Sequence, residues 1–196
     1  MELKRCGAEL LALVYPDMQR QFPPTERKPL SLLEQLISQK RYDLIMAYDN
    51  GTPVGYLLLC PTPQKIVWLD YIAVFPDKHS HGYGSEMLRQ LSAVYPAATG
   101  CLLEVEQADP SVPNTLRRIR FYESLGCRKY PFYYALPTPD GSFPMDLYLL
   151  PWQQTPPVAE DIQGAILHAF HTIHQDIPHR NMVYQKILQS MEKQSF

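Results

Sequence analysis

The sequence predicts an α/β (α+β) fold, with a mixed, mostly antiparallel central sheet, flanking helices and a C-terminal helical extension. Three observations predict it. Residues 43–75 are apolar β-type runs separated by turn sequences, and residues 69–88 lead from such a run through a polar loop into a helical pattern. An apolar helical stripe then fills the segment from 162 to 177. Together they indicate strands and helices in one mixed arrangement.

The first elements are helical apart from a short strand expected at 2–5. Pro16 is expected to end or kink the first helix, and Pro29 is placed to begin the second. The apolar residues that recur at helical spacing in these two helices are Leu10, Leu11, Val14, Met18, Leu30, Leu33, Leu36 and Ile37.

The next segment, residues 43–75, has the pattern of an antiparallel meander. Asn50-Gly51 lies between two apolar β-type runs, and this dipeptide is a strong hairpin signal. A helix over 83–95 and a strand over 101–106 follow. The helical crossover would place that strand parallel to the strand at 68–75.

The C-terminal half begins with a helix that Asn114 is expected to cap and that ends at Gly126. Two β-type runs follow, over 128–136 and 145–150, joined by a turn at 138–141. Residues 151–158 have the composition of a linker, and two helices end the chain, the last over 181–193. We therefore expect a domain over 1–150 and an extension over 151–196, docked either on the same domain or across a homodimer.

Composition limits the possible functions of this 196-residue chain, which is long enough for an ordinary core. Its formal net charge of −2 provides no general attraction to nucleic acid or anionic membranes. No apolar run approaches the roughly 20 residues of a membrane span. Four cysteines without a CxxC pair indicate buried thiols in a reducing cytoplasm, and no metal site: Cys6, Cys60, Cys101 and Cys127.

The loop between the strand at 68–75 and the next helix carries Gly82-x-Gly84. Backbone N–H groups in such a turn converge, and the helix start adds unpaired donors, so a phosphate or pyrophosphate fits there. Glycine lets the ligand approach the amides, although a tight left-handed turn uses glycine about as often for steric reasons alone.

The run from Val74, V-F-P-D-K-H-S-H-G-Y-G-S, resembles motif A of the GNAT acyl-CoA N-acetyltransferases. In that family the loop amides hold the pyrophosphate of coenzyme A, and the strand edge contacts its pantetheine arm. The chain departs at His79, where Gln or Arg is usual. The resemblance implies these cofactor-binding residues: Ile72, Ala73, Val74, His79, Ser80, His81, Gly82, Tyr83, Gly84 and Ser85.

A second segment, RRIRFYESLGC, is similar to the GNAT pattern N-x-x-A-x-x-F-Y-x-x-x-G-F. It matches at Phe121, Tyr122 and Gly126. It departs from the pattern at Thr115, Arg118 and Cys127. The resemblance covers roughly residues 2 to 150 and implies direct transfer of acetyl from acetyl-CoA to a primary amine of a small molecule or a protein N-terminus.

The resemblance implies that Tyr122 gives a proton to the departing thiolate, whereas the alternative is a tyrosine that only packs in its helix. For a general base the candidates are carboxylates on apolar strands, Asp70 and Glu104, with Glu106 beside them. The simpler alternative for each is a structural role, paired with an arginine or beyond the covered part of the sheet, and water can also take the proton. The expected place for this chemistry is an opening between the strands at 68–75 and 101–106.

Other polar and aromatic groups have weaker interpretations. Arg118, clustered with Arg117 and Arg120, would meet the 3′-phosphate of coenzyme A or form a solvated face. The repeat of His168, His171 and His174 is expected to be a polar helix face without metal. Aromatic residues that would pack in the core or line an acceptor pocket are Trp68, Tyr71, Tyr130, Phe132, Tyr133 and Tyr134.

The leading hypothesis is a cytoplasmic acetyl-CoA-dependent N-acetyltransferase. The altered positions His79, Thr115 and Arg118 leave a second hypothesis open, a GNAT-like acyl-CoA-binding sensor or interaction module without catalysis. A nucleotide-binding α/β protein is disfavoured because the sequence has neither GxxxxGK[ST] nor GxGxxG.

Overall fold

The computed structural model describes residues 1–194, and within them eight strands form a mostly antiparallel sheet with six α-helices. This architecture confirms the predicted α/β (α+β) class. The described chain divides into two compact units. The first contains Met1–Pro61 and Leu69–Pro96, and the second contains Thr62–Trp68 and the chain from Ala97 onward.

The first unit has the strand order β1-β2-β3-β4 and three helices. Its elements are β1 (Glu2–Cys6), a 3-10 turn (Ala8–Leu10), α1 (Leu11–Gln21), α2 (Leu30–Ser38), β2 (Asp43–Asp49), β3 (Thr52–Pro61), most of β4 (Ile66–Val74) and α3 (Tyr83–Val94). Strands β1, β2 and β3 pair antiparallel. The hairpin predicted at Asn50-Gly51 is confirmed, since both residues have positive φ, 48° and 78°, as the tight primed turns require.

The expected start of one helix is wrong, and one of two alternatives for another is excluded. Helix α1 does not end at Pro16 but continues to Gln21, because the burial of Leu11, Val14 and Met18 on one face outweighs the backbone hydrogen bond that proline lacks; the alternative of a kink at Pro16 stays a prediction. The fourth helix begins at Pro113 rather than after Asn114, since proline suits the first helical position, where its missing N–H has no partner in any case.

The second unit begins with the first residues of β4 and contains the rest of the sheet. Its other elements are β5 (Gly100–Glu106), α4 (Pro113–Ser124), β6 (Arg128–Lys129), β7 (Tyr134–Thr138), β8 (Gly141–Pro151), α5 (Ala159–Ile173) and α6 (Arg180–Glu192). Strand β8 pairs antiparallel with β5 on one side and with β6 and β7 on the other.

Strands β4 and β5 begin side by side within this unit. The N–H of Thr99 donates to the carbonyl of Lys65 at 2.8 Å, one residue before each strand begins. The expected single run over 128–136 is instead two strands, β6 and β7. Pro131 lies in the interruption, and it has no N–H to donate to the ladder.

The C-terminal helices bury their apolar stripe within the second unit. Side chains from Ile162 to Ile173 that face inward are essentially inaccessible to solvent, Phe170 among them. The N–H of Tyr133 donates to the Ser190 hydroxyl at 2.7 Å, and His179 Nε2–H donates to the carbonyl of Gly141 at 2.7 Å. These two hydrogen bonds join α6 and the residue before it to the residue before β7 and to the first residue of β8.

None of the helices in residues 1–194 combines the length and the apolar character that crossing a membrane requires.

Candidate active site

The loop after β4 exposes the amino end of α3. Ser80 and Gly82 have φ of 67° and 80°, and His79 to Gly82 are exposed. Gly82 is the N-cap residue, and no side chain caps the helix. The first N–H groups of an α-helix have no partner inside the helix, so here they face the surroundings of the loop. This geometry suits an anion, and the phosphate site expected here stays a prediction.

Two histidines hold this loop in place. His79 Nε2–H donates to the carbonyl of Val74 at 2.9 Å, and the side-chain amide of Gln21 donates to the same carbonyl at 3.0 Å. His81 Nδ1–H donates to the carbonyl of His79 at 2.7 Å. Two side chains therefore already donate to the Val74 carbonyl at the end of β4.

Tyr83 fastens the first turn of α3 to the end of β2. Its hydroxyl donates to Asp49 at 2.7 Å, and this hydrogen bond raises the pKa of Tyr83. The ring of His81 stacks on the Tyr83 ring with centroids 5.9 Å apart. Gly84 and Ser85 follow in the same turn, half-buried. The sequence placed Tyr83 in the loop but gave no sign of its partner Asp49.

The candidate base Asp70 is held in a buried ion pair. Lys28 Nζ lies 2.7 Å from its carboxylate, and the two side chains are only 7% and 5% exposed. The Tyr42 hydroxyl donates to Asp70 Oδ2, the same carboxylate oxygen that Lys28 contacts, and burial followed by the charge of Asp70 raises the pKa of Tyr42 far above its usual range. A carboxylate with a lysine and a tyrosine already on it has the surroundings of a structural group.

The same ion pair fixes the loop between α1 and α2 onto β4. The N–H of Lys28 donates to the Tyr71 hydroxyl at 3.1 Å, and that hydroxyl donates to the carbonyl of Glu26 at 2.6 Å. Sequence reasoning missed Lys28, because a single lysine in a polar loop carries no sign of its partner 42 residues away.

The candidate base Glu104 lies on β5 and is half-buried. Tyr134, on β7, donates its hydroxyl to Glu104 Oε1 at 2.5 Å. Glu106, two residues along the same strand, pairs instead with Arg118 of α4 at 2.5 Å. The cationic partner that the sequence left open as an alternative is therefore present for Glu106. Arg118, Arg117 and Arg120 are all exposed on α4, and Glu106 offsets part of the charge of Arg118.

The candidate acid Tyr122 is buried on α4, and its ring packs edge-on against Phe121 with centroids 5.1 Å apart. Burial raises the pKa of Tyr122 to about 12, although the nearby Arg118 opposes this effect. No hydrogen bond joins its hydroxyl to another group in residues 1–194. The phenol therefore stays protonated at neutral pH, as a proton donor must.

The histidines of α5 have separate partners. His171 contacts Asn181 at 2.9 Å, His168 contacts the Thr172 hydroxyl at 3.4 Å, and the His174 ring lies edge-on to Phe170 at 5.6 Å. His174 is only 5% exposed, so the expectation of a fully polar helix face is wrong for this residue, which lies at the helix end against the aromatic core. Within residues 1–194, no three His, Cys, Asp or Glu side chains are grouped as metal ligands would be.

The cysteines of the described chain are all free thiols. Cys60, Cys101 and Cys127 are buried, and burial raises the pKa of Cys127 to about 12. Cys6 is only half-buried, contrary to expectation, because β1 is the edge strand of the sheet.

Comparison with known proteins agrees with this architecture. The model of the acetyltransferase (GNAT) family matches residues 9–127. A Bacillus subtilis (strain 168) protein described as "Putative acetyltransferase YjbC" is 24% identical over 168 residues, covering 82% of this chain and 80% of its own. The family match includes both the glycine loop at 82–84 and the pair Phe121-Tyr122.

Two solved structures have a similar fold. A "Putative acetyltransferase from GNAT family" from Bacteroides thetaiotaomicron has a TM-score of 0.72 at 22% identity, covering 89% of this chain and 98% of its own. The aminoglycoside acetyltransferase AAC(6′)-Ib, in complex with coenzyme A and kanamycin, has a TM-score of 0.57 at 20% identity, covering 77% and 94%.

The fold and the matched motifs define an acyl-CoA-dependent acyltransferase. The chain belongs to the GNAT family of acetyltransferases, since the family model spans more than half of it.

Proposed function

We propose that the protein is an N-acetyltransferase that moves acetyl directly from acetyl-CoA to a primary amine of a small molecule or a protein N-terminus. The observation that carries this proposal is the exposed, uncapped start of α3, held by His79 and His81, in a chain of this family. Residues 1–150 would form the catalytic domain and residues 151–196 its extension. The four free thiols suit a reducing cytoplasm.

On the cofactor side, the backbone N–H groups from Ser80 to Ser85 receive the pyrophosphate. A diphosphate carries the charge that favours a helix amino end. The edge formed by Ile72, Ala73 and Val74 receives the pantetheine arm. Arg118 uses one nitrogen for Glu106, and its remaining guanidinium donors are assigned to the 3′-phosphate.

For the chemical step, the neutral amine attacks the thioester carbonyl carbon, the carbon–sulfur bond breaks, and the thiolate takes a proton from Tyr122. The attacking nitrogen releases one proton to water as the amide forms, and water returns a proton to the Tyr122 phenolate. Of the two predicted carboxylates, Glu104 is the better base for the incoming ammonium group. Asp70 is already bound to Lys28 and Tyr42, so removing its negative charge by protonation would leave a buried lysine without its counter-ion.

Two measurements test the proposal. Calorimetry compares acetyl-CoA with ATP and NAD, and free-thiol release is followed over a panel of small amines and peptides with free N-termini. We expect acetyl-CoA alone to bind and at least one amine to release thiol. Binding of acetyl-CoA without release by any amine would favour the sensor or interaction module, and failure to bind acetyl-CoA would overturn the proposal.

A further inference from the structure

Tyr134 connects the C-terminal extension to Glu104. Tyr134 and Glu104 lie on strands β7 and β5, which pair with opposite sides of β8. Tyr134 is opposite Met145, and Glu104 is opposite Leu147. Because paired residues share a face and residues two apart share it too, both side chains project from the same face of the sheet.

The two strands are separated by β8, hence by two strand spacings, about 10 Å. A tyrosine and a glutamate reaching toward each other cover that distance, and the Tyr134 hydroxyl donates to Glu104 Oε1 at 2.5 Å. Bonds of this length are typical of a hydroxyl that donates to an ionised carboxylate. The bond therefore favours the charged form of Glu104, which is the form that accepts a proton.

The phenol ring is clamped by two further aromatic residues. Trp68 lies 6.2 Å from it and Phe170 lies 6.3 Å from it, centroid to centroid, and all three side chains are almost inaccessible to solvent. Tilted and edge-on arrangements like these are the ones aromatic pairs prefer. Phe170 belongs to α5 and is itself packed edge-on against Tyr184 of α6 at 6.3 Å.

The extension also holds the strand that carries Tyr134. Ser190 of α6 accepts the N–H of Tyr133, immediately before β7, and His179 donates to the carbonyl of Gly141, just beyond its other end. Helices α5 and α6 therefore restrain both the backbone and the ring of this part of β7.

From these contacts we infer that Tyr134 is a positioning residue for Glu104, and that the C-terminal extension serves catalysis by holding Tyr134 against that carboxylate. The inference rests on the proposed function, because it takes Glu104 as the group that receives the proton of the acceptor amine. It assigns residues 159–192 a role in the reaction although they lie outside the segment that the family model matches.

The test compares Tyr134→Phe with Tyr184→Phe. Both remove a buried hydroxyl whose ring packs on Phe170, but the Tyr184 hydroxyl donates to the carbonyl of Gln163 at 3.2 Å and not to a carboxylate. We expect Tyr134→Phe to lower kcat/KM about tenfold near pH 7, the loss of one hydrogen bond to a charged group. The acid limb of its pH profile should move to higher pH, while Tyr184→Phe keeps the wild-type profile.

A double variant separates positioning from general loosening. If Tyr134 acts through Glu104, adding Tyr134→Phe to Glu104→Gln leaves the residual turnover of Glu104→Gln unchanged. An equal tenfold loss in both backgrounds would overturn the inference, and so would identical pH profiles for Tyr134→Phe and Tyr184→Phe.

A measurement without substrate keeps this test apart from that of the proposed function. In a carbon-13 NMR titration of glutamate side chains, the resonance of Glu104, assigned by its loss in Glu104→Gln, should titrate at higher pH in Tyr134→Phe than in wild type. An unchanged titration overturns the inference even if the enzyme is active. A wild-type protein that neither binds acetyl-CoA nor releases thiol overturns the proposed function, whatever the titration shows.

Discussion

Replacing Tyr122 by Phe is the sharpest test of the proton donor. The Tyr122 hydroxyl makes no hydrogen bond to another group in residues 1–194, and burial raises its pKa to about 12. A phenol with this pKa is ionised in only about one molecule in 10⁵ at pH 7. The proton is thus present throughout the neutral range, and the variant loses it completely.

The expected loss of turnover in Tyr122→Phe follows from the removal of this protonated hydroxyl. Positioned general acids contribute about 10²–10⁴-fold, so we expect kcat to fall by about 100-fold, or about 2.7 kcal/mol in the activation barrier. Affinity for acetyl-CoA should remain, since the hydroxyl is not among the groups assigned to the cofactor. Stability should change little, because no hydrogen bond joins the Tyr122 hydroxyl to another group in residues 1–194.

Thiol release measures kcat, calorimetry measures acetyl-CoA affinity and thermal unfolding measures stability. Tyr148→Phe is the matched control, because Tyr148 is also buried, also has a raised pKa and likewise lies near Cys127. Full turnover in Tyr122→Phe, or a loss equal to that of Tyr148→Phe, would refute the assignment of Tyr122 as the proton donor. A loss of acetyl-CoA affinity as large as the loss of kcat would refute it as well.

Three other predictions concern the loop, the ion pair and alkaline stability. Gly82→Ala and Gly51→Ala each add a methyl group at nearly the same left-handed φ, 80° and 78°, where no other atom lies within 4 Å. Calorimetric titration should therefore show about tenfold weaker acetyl-CoA binding for Gly82→Ala only. Equal affinities for the two variants would argue against the loop as the pyrophosphate site. Asp70→Asn should lower the free energy of unfolding in urea by about 3–5 kcal/mol, because it removes the buried negative charge that pairs with Lys28. A variant that keeps its stability but loses turnover would instead favour Asp70 as the base. Burial raises the pKa of Cys127 from 9.0 to about 12, so between these pH values the folded thiol keeps its proton and the unfolded thiol loses it. The free energy of unfolding should therefore fall as pH rises from about 9 to 12. An equally steep fall in a Cys127→Ser variant would contradict this cause.

Local features of the sequence predicted much of the fold. The Asn50-Gly51 hairpin and the glycine loop at 82–84 were predictable because the required backbone conformations belong to the residues themselves. The apolar periods of α2 and α5 also predicted buried faces. The end of α1 was not predictable from Pro16, because burial of the neighbouring apolar face outweighs a local preference.

The partners of the charged and polar side chains were not predictable. Asp70 and Glu104 are both acidic residues on apolar strands, yet one meets a lysine and the other a tyrosine. Those partners are 42 and 30 residues away along the chain. Which partner contacts each carboxylate depends on strand pairing and on how the intervening helices pack. The residues next to each carboxylate in the sequence do not specify either of these.

The sequence by itself determined most of the order of strands and helices, the glycine loop and the family, because each depends on neighbouring residues and their spacing. Only the tertiary structure decided that His79 ties the loop to Val74, that Lys28 neutralises Asp70, and that the C-terminal helices support Tyr134. The physical reason is the same in each case. A hydrogen bond or ion pair between distant residues exists only where the folded backbone brings donor and acceptor within about 3 Å.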